Sequence, residues 1–300
     1  MCKIIYIYNI IFNQTKHIKT NKLYKYILLI MRLSIENKSK MEMFVALFQL
    51  LKNWGSYLNL HFEKTRLYIQ SMDKSHVCLS SITISSHWFS SYQIEETTNI
   101  SLDSTNFAIM MSYALKHNKM EIKFEDELDP DTIFINLSSN TESSFAEPKG
   151  KKGKEVQNKF DHFFELGLID VEQDTLGIPE VEYDVDFTMK SENFAELINE
   201  LMVFGSNLNI ICSEDVLEFN ASGDTGKLKV NIPIDDLNEY AIAEGEVVDI
   251  SYSLNHIGKM CLSTKLGQNV SLSISAEYPM AIKYDLGDDS SVAFYIAPKI

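Results

Sequence analysis

Paired cysteines, proline and positive charge are what this 300-residue sequence lacks. Its four cysteines, Cys2, Cys78, Cys212 and Cys261, lie far apart and form no C-x-x-C pair. That spacing suggests neither a zinc cage nor a disulfide framework, and it fits a reducing compartment. Six prolines and twelve glycines are too few for a fibrous or low-complexity chain. Lys and Arg number 27 against 42 Asp and Glu, a net charge of −15. Such a balance opposes general phosphate binding and favours protein partners, so any DNA contact has to come from a few lysines on one concave face. Long apolar runs are missing as well. Within residues 1–30 two short ones flank a basic middle. Neither approaches the roughly 20 residues of a membrane span, and no small-residue cleavage site follows. No membrane partner is expected.

Reaction chemistry is absent too. Ser222-Gly223-Asp224-Thr225-Gly226-Lys227-Leu228 has two residues between its glycines and Leu228 after the lysine, where a phosphate loop needs four and a hydroxyl. It reads as a turn. Ser71, Asp73 and His76 are close in sequence, but no G-x-S-x-G elbow accompanies them, and triad members normally come from separate segments. The seven histidines offer no H-x-x-x-H pair, and no carboxylate-rich calcium loop is present. Glu95-Glu96 and Asp288-Asp289 belong to turns. The reading is a chain that is not an enzyme and needs no metal or cofactor.

What is present is a duplication. Residues 44–73 lie on residues 194–223 without a gap. Phe44, Leu47 and Leu51 fall on Phe194, Leu197 and Leu201, an i, i+3, i+7 stripe that a helix buries. Leu58-Asn59-Leu60 then falls on Leu208-Asn209-Ile210, and Leu67 to Gln70 on Leu217 to Asn220, with the period of two expected of half-buried hairpins. Further strands are expected over 77–85, 120–125, 132–137, 183–189, 227–232, 247–254, 270–276, 280–286 and 291–297. Strands outnumber helices, so the fold class is α+β, two similar units in which helices cover one face of antiparallel sheets. The boundaries read as an extension outside the fold at 1–30, a first unit at 31–165 with a mobile, lysine-bearing loop at 138–159, a connecting loop at 166–183 and a second unit at 184–300.

Four stretches resemble the eukaryotic and viral sliding clamps of the proliferating-cell nuclear antigen family. They are Ile69-Gln70-Ser71-Met72-Asp73-Lys74-Ser75-His76-Val77, the connecting segment from Val171 to Glu180, the hairpin from Phe219 to Gly226, and the tail Tyr295-Ile296-Ala297-Pro298-Lys299-Ile300. With the repeat, the resemblance spans about residues 31–300. It implies two clamp domains per chain and a homotrimeric ring with helices lining a hole for duplex DNA. Antiparallel sheets lie outside. The implied partners are duplex DNA held topologically, a DNA polymerase, a clamp loader and other docking-motif proteins, at a nuclear or cytoplasmic replication site or a virus factory. By matching positions, the docking pocket would be walled by Met72, His76, Val77, Leu79, Leu176, Ile178, Pro179, Pro279, Tyr295, Ile296, Ala297 and Pro298. The implied subunit contact pairs the hairpin at 221–232 with a strand near 160–166.

Departures concentrate on the DNA side. Opposite the buried stripes stand Glu42, Ala46, Gln49 and Asn53 on one helix and Glu192, Glu196, Asn199 and Val203 on the other, where the family usually carries basic residues. Lys52, Lys116, Lys119, Lys259 and Lys265 are left as the expected channel charges. A checkpoint-type heterotrimeric clamp subunit is the alternative.

Overall fold

The computed structural model describes residues 31–124, 131–139, 160–171, 175–224, 226–261 and 264–299. The extension at 1–30 and positions 140–159 of the expected loop lie outside the described residues. The first half runs β1 (Met31–Ile35), α1 (Lys38–Leu51), β2 (Tyr57–Phe62), β3 (Arg66–Met72), β4 (Cys78–Ser85), β5 (Ser91–Ile94), β6 (Thr98–Asp103), α2 (Ser104–Ala114), β7 (Lys119–Phe124), β8 (Thr132–Ser138) and β9 (His162–Gly167). The second half repeats that order as β10 (Val185–Lys190), α3 (Ser191–Phe204), β11 (Asn207–Cys212), β12 (Leu217–Gly223), β13 (Gly226–Ile232), β14 (Glu239–Ile242), β15 (Val248–Ser253), α4 (Leu254–Met260), β16 (Asn269–Ile274), β17 (Met280–Gly287) and β18 (Ser290–Ile296).

Local chemistry sets these elements. Asn37 caps α1 by accepting from Lys40 N at 3.1 Å, and Asp103 caps α2 by accepting from Asn106 N at 2.6 Å. α3 has no side-chain cap, but Glu192 sits in its first turn, where the helix dipole favours an anion. α3 ends at an extended Gly205, a position that takes only glycine because a Cβ there would meet the Ser222 carbonyl oxygen at 2.7 Å.

The duplication extends to hydrogen-bond register. Asn59 faces Gln70 as Asn209 faces Asn220, and Tyr57 faces Asp103 as Asn207 faces Ser253. Even the entry to the second helix is copied, with Ser104 N donating to Ser56 O at 3.1 Å and Leu254 N to Ser206 O at 2.9 Å. Three antiparallel sheets result, ordered β5-β1-β7-β8-β9, β14-β10-β16-β17-β18-β4-β3-β2-β6 and β13-β12-β11-β15. The nine-stranded sheet joins five strands of the second half to four of the first, through β18 pairing β4 from Ser291↔Thr83 to Ile296↔Cys78.

Each half buries one sheet face under its helix pair. In the first half Phe44, Phe48 and Phe107 meet edge to face, with centroids 4.8 and 4.7 Å apart. Each such side chain contributes about 1.5–3 kcal/mol by leaving water. Across the joint Trp54 stacks on Phe294 at 5.2 Å, and Trp88 Nε1 donates to Leu286 O at 3.1 Å. The two halves therefore share one continuous core. Among the described residues no helix is long and apolar enough to cross a membrane.

Candidate docking site and nucleic-acid face

Where β18 meets β4, the outer surface opens into an apolar cavity of about 380 Å³. Met72, His76, Val77 and Leu79 line it from the β3–β4 hairpin, Leu176, Ile178 and Pro179 from the connecting loop, and Pro279, Tyr295 and Ala297 from the second half. Those ten residues come from four separate segments. Cys78, Gly177, Val181, Tyr183 and Tyr278 join them, and the sequence reading had missed all five. Tyr278 precedes the expected Pro279, and Val181 and Tyr183 continue alternately from Pro179, so a period of two through the linker was the available signal. Two expected wall residues are not in the lining. Ile296 is fully buried, because the alternation of β18 turns Val292, Phe294 and Ile296 inward and Tyr295 outward. Pro298 follows the end of β18, is half-buried, and is not among the lining residues.

The hairpin that forms one wall is built on Asp73. Its Oδ1 accepts from Val77 N at 2.8 Å and Cys78 N at 2.7 Å, and its Oδ2 from Ser75 N at 3.0 Å and from Ser75 Oγ. Burial alone would raise this carboxyl, but the hydrogen bonds from Ser75, Cys78 and Val77 outweigh it and hold it at about 2. The turn they enforce puts His76 at φ 58°, a left-handed conformation that a non-glycine residue adopts only when its surroundings impose it.

The opposite wall is held by Gln70. Its Oε1 accepts from Leu176 N at 2.6 Å and its Nε2 donates to Leu176 O at 2.9 Å and to the Tyr68 hydroxyl at 2.9 Å. The carboxamide thus replaces a strand partner for the connecting loop and leaves the Leu176 side chain half exposed above the cavity. On the β18 side, Ala297 N donates to Val77 O at 3.0 Å and closes the floor. Burial raises the Tyr183 and Tyr295 phenols, so both remain protonated hydrogen-bond donors at neutral pH.

Asp73, Cys78 and His256 bring possible metal-ligand atoms within 4.8 Å of one another. Their chemistry suits a brace better. The Asp73 oxygens are already engaged, and burial, reinforced by Asp73, pushes the Cys78 thiol up to about 12 despite nearby Lys259. His256, on α4, reaches Ser75 Oγ at 3.1 Å and so ties the second half to the pocket hairpin.

The helix side carries the expected lysines unevenly. Lys52 and Lys265 share an open cavity of about 450 Å³ with Glu42, Gln49 and Asn53. Lys259 lies next to them, in a cleft that also includes Asn53. Lys116 is exposed just beyond α2. Lys119, another expected channel charge, is ion-paired, its Nζ 2.7 Å from Glu36 Oε1. Ala46, expected on the open face of α1, is buried. On α3, Glu192, Glu196, Asn199 and Val203 are exposed as expected, and Glu200 joins them.

Two helix-backed halves fused through one sheet, with an apolar pocket at the fusion, define a two-domain chain of the DNA-clamp type. The family model described as "Proliferating cell nuclear antigen, N-terminal domain" matches residues 36–151, and the corresponding C-terminal domain model matches residues 177–299. The chain is 28% identical over 247 residues to the proliferating cell nuclear antigen of Chaetomium thermophilum, an alignment covering 81% of this chain and 88% of that protein. It belongs to the proliferating cell nuclear antigen family, sliding clamps that act in DNA replication as processivity factors.

Proposed function

We propose that this chain assembles as a homotrimeric ring, encircles duplex DNA without catalysing a reaction, and docks polymerase, loader and other replication and repair proteins at the pocket beneath the connecting loop. The observation that carries this reading is an unmade joint. Every sheet edge in one half has a counterpart in the other, and β18–β4 is a joint formed within the chain. The counterparts of β18 and β4 are β9 and β13, which are both outermost strands with no further partner among the described residues. Edges of this kind are normally paired or covered.

The repeat also supplies the register. Phe164 faces Ile135 as Phe294 faces Ile282, and Leu228 faces Ala221 as Ser80 faces Ser71. Since Phe294 faces Ser80 within the chain, Phe164 of one copy falls opposite Leu228 of the next, with His162 opposite Val230 and Phe160 opposite Ile232. On the other face Glu165 falls opposite Lys227, a favourable cross-strand pair. This accounts for an otherwise costly exposure, since Phe160 is 71% exposed in the single chain. Three copies per ring is the family's number.

The intact pocket and tail favour the replicative ring over a checkpoint-type heterotrimer. Light scattering on the purified chain tests assembly. The expected mass is three chains at micromolar concentration, and Phe164→Asp should reduce it to one. A monomeric parent, or assembly only with two unlike proteins, would refute the reading.

A further inference from the structure

The two halves differ in what covers their outer faces. In the first half Asn59 and Gln70 are cross-strand neighbours on β2 and β3, and Ser101 on β6 sits opposite Asn59. The chain leaving β9 runs across them. Ile169 N donates to Ser101 O at 2.8 Å, Ser101 Oγ donates to Val171 O at 3.2 Å, and Gln70 grips Leu176 through its two amide arms. Under this strap Asn59 and Gln70 are each only 6% exposed.

In the second half the same positions hold Asn209, Asn220 and Ser251, in the same register. The chain leaving β18 starts along the same path, with Lys299 N donating to Ser251 O at 2.8 Å. Among the described residues nothing continues it. Asn209 and Asn220 remain half-buried and line an open groove of about 540 Å³.

The rim has changed as well. Leu79 and Ser81, which flank the strap's path on β4, are replaced on β13 by exposed Lys227 and Lys229. Lys299 Nζ adds a third cation at the mouth, 2.5 Å from Asn207 Oδ1. The carboxylates facing these lysines are Glu218, which meets Lys229, and Asp249, which accepts from Asn209 Nδ2 at 2.6 Å. In the ring Glu165 of the next copy is the further carboxylate within reach of Lys227. On a chain of net charge −15, these three lysines at least match the acids beside them.

We propose that this groove docks an extended acidic segment of a partner protein. Asn220, whose Nδ2 already donates to Glu218 Oε1 at 2.7 Å, offers its Oδ1 to a main-chain N–H of the segment, and the Lys227 and Lys229 ammonium groups take its carboxylates. The occupant follows from the sequence itself, since the stretch between β9 and the connecting-loop wall carries Asp170, Glu172 and Asp174. A synthetic peptide of residues 168–179 is therefore the probe, titrated by fluorescence polarisation against the full chain at low salt. Saturable binding is expected. Asn220→Ala, Lys227→Glu, or neutralising the probe with Asp170→Asn, Glu172→Gln and Asp174→Asn should each weaken it about tenfold, the loss expected of a charge-assisted or main-chain hydrogen bond. Tyr295→Ala should leave it unchanged, which separates this groove from the docking pocket. Lys227 is exposed in the single chain, so Lys227→Glu keeps the test alive if Asn220→Ala unfolds the domain, with light scattering reporting that assembly is kept. Absence of saturable binding, insensitivity to the groove substitutions, or loss on Tyr295→Ala alone would overturn the proposal.

Discussion

Removing the Gln70 carboxamide should cripple partner docking without touching any residue in the pocket lining. Gln70 makes the two hydrogen bonds, 2.6 and 2.9 Å, that hold Leu176 and with it the connecting-loop wall. A net worth of about 0.5–1.5 kcal/mol per hydrogen bond gives about 1–3 kcal/mol for anchoring the loop. If a docking peptide needs the anchored loop, that sum appears as about 5- to 150-fold weaker binding, because the peptide then has to order the wall itself. Gln70→Glu keeps the acceptor for Leu176 N but loses the donor to Leu176 O and Tyr68, so an intermediate loss is expected. Calorimetric titration with a peptide carrying two aromatics and an aliphatic residue reads the affinity, and amide exchange at Leu176 reads the anchoring. Faster exchange at Leu176 with unchanged affinity would refute the reasoning, since the wall would then be dispensable.

Ile178→Ala combined with Tyr295→Ala should cost the same peptide about 2–5 kcal/mol, roughly 30-fold or more, by removing apolar contacts from two sides of the cavity while scattering still reports an intact ring. Asp73 has a folded-state carboxyl depressed to about 2 from an ordinary 3.8, so its stabilising effect is fully present above about pH 4 and is lost as pH falls through about 2. Accordingly, urea midpoints of the parent and Asp73→Ala should differ at pH 6 and converge in strong acid; a constant difference across that range would contradict the assignment. Lys52→Ala with Lys265→Ala should lower the slope of log affinity for duplex DNA against log salt by about two, one phosphate each, and leave peptide binding alone. An unchanged slope would move DNA contact elsewhere.

The fold was legible mainly because it was written twice. Asn59 and Asn209 sit 150 positions apart in sequence and occupy the same register position in space. Strands such as β4, β13 and β17 fall within a residue or so of their expected ends, since in each a more buried face alternates with a more exposed one. α2 escaped the reading because its apolar residues run round the helix, with Phe107 and Met111 buried but Ile109 and Tyr113 exposed. The short edge strands β5 and β14 offer too few residues for a period to register. Within the pocket, sequence resemblance named the wall but not its supports. Ile296 was misassigned although the period of two of β18 already turned it inward. The bond from Gln70 to Leu176 and the ion pair of Lys119 with Glu36 bridge distant positions, and neither leaves a local pattern.

The exchange of Leu79 and Tyr295 at the internal joint for Lys227 and Glu165 at the external one has a mechanical consequence. A closed ring of such chains alternates two hinges of the same architecture. One is sealed by Trp54 on Phe294 and backed by an unbroken polypeptide, and it cannot part while the protein is folded. In the proposed ring the other would be held by a strand ladder, a few aromatic side chains and a surface ion pair, so it is where such a ring would open. Residence on DNA then becomes a question of the lifetime of that second hinge rather than of affinity for phosphates. A clamp with few channel lysines can stay on its track for as long as β9 and β13 stay zipped.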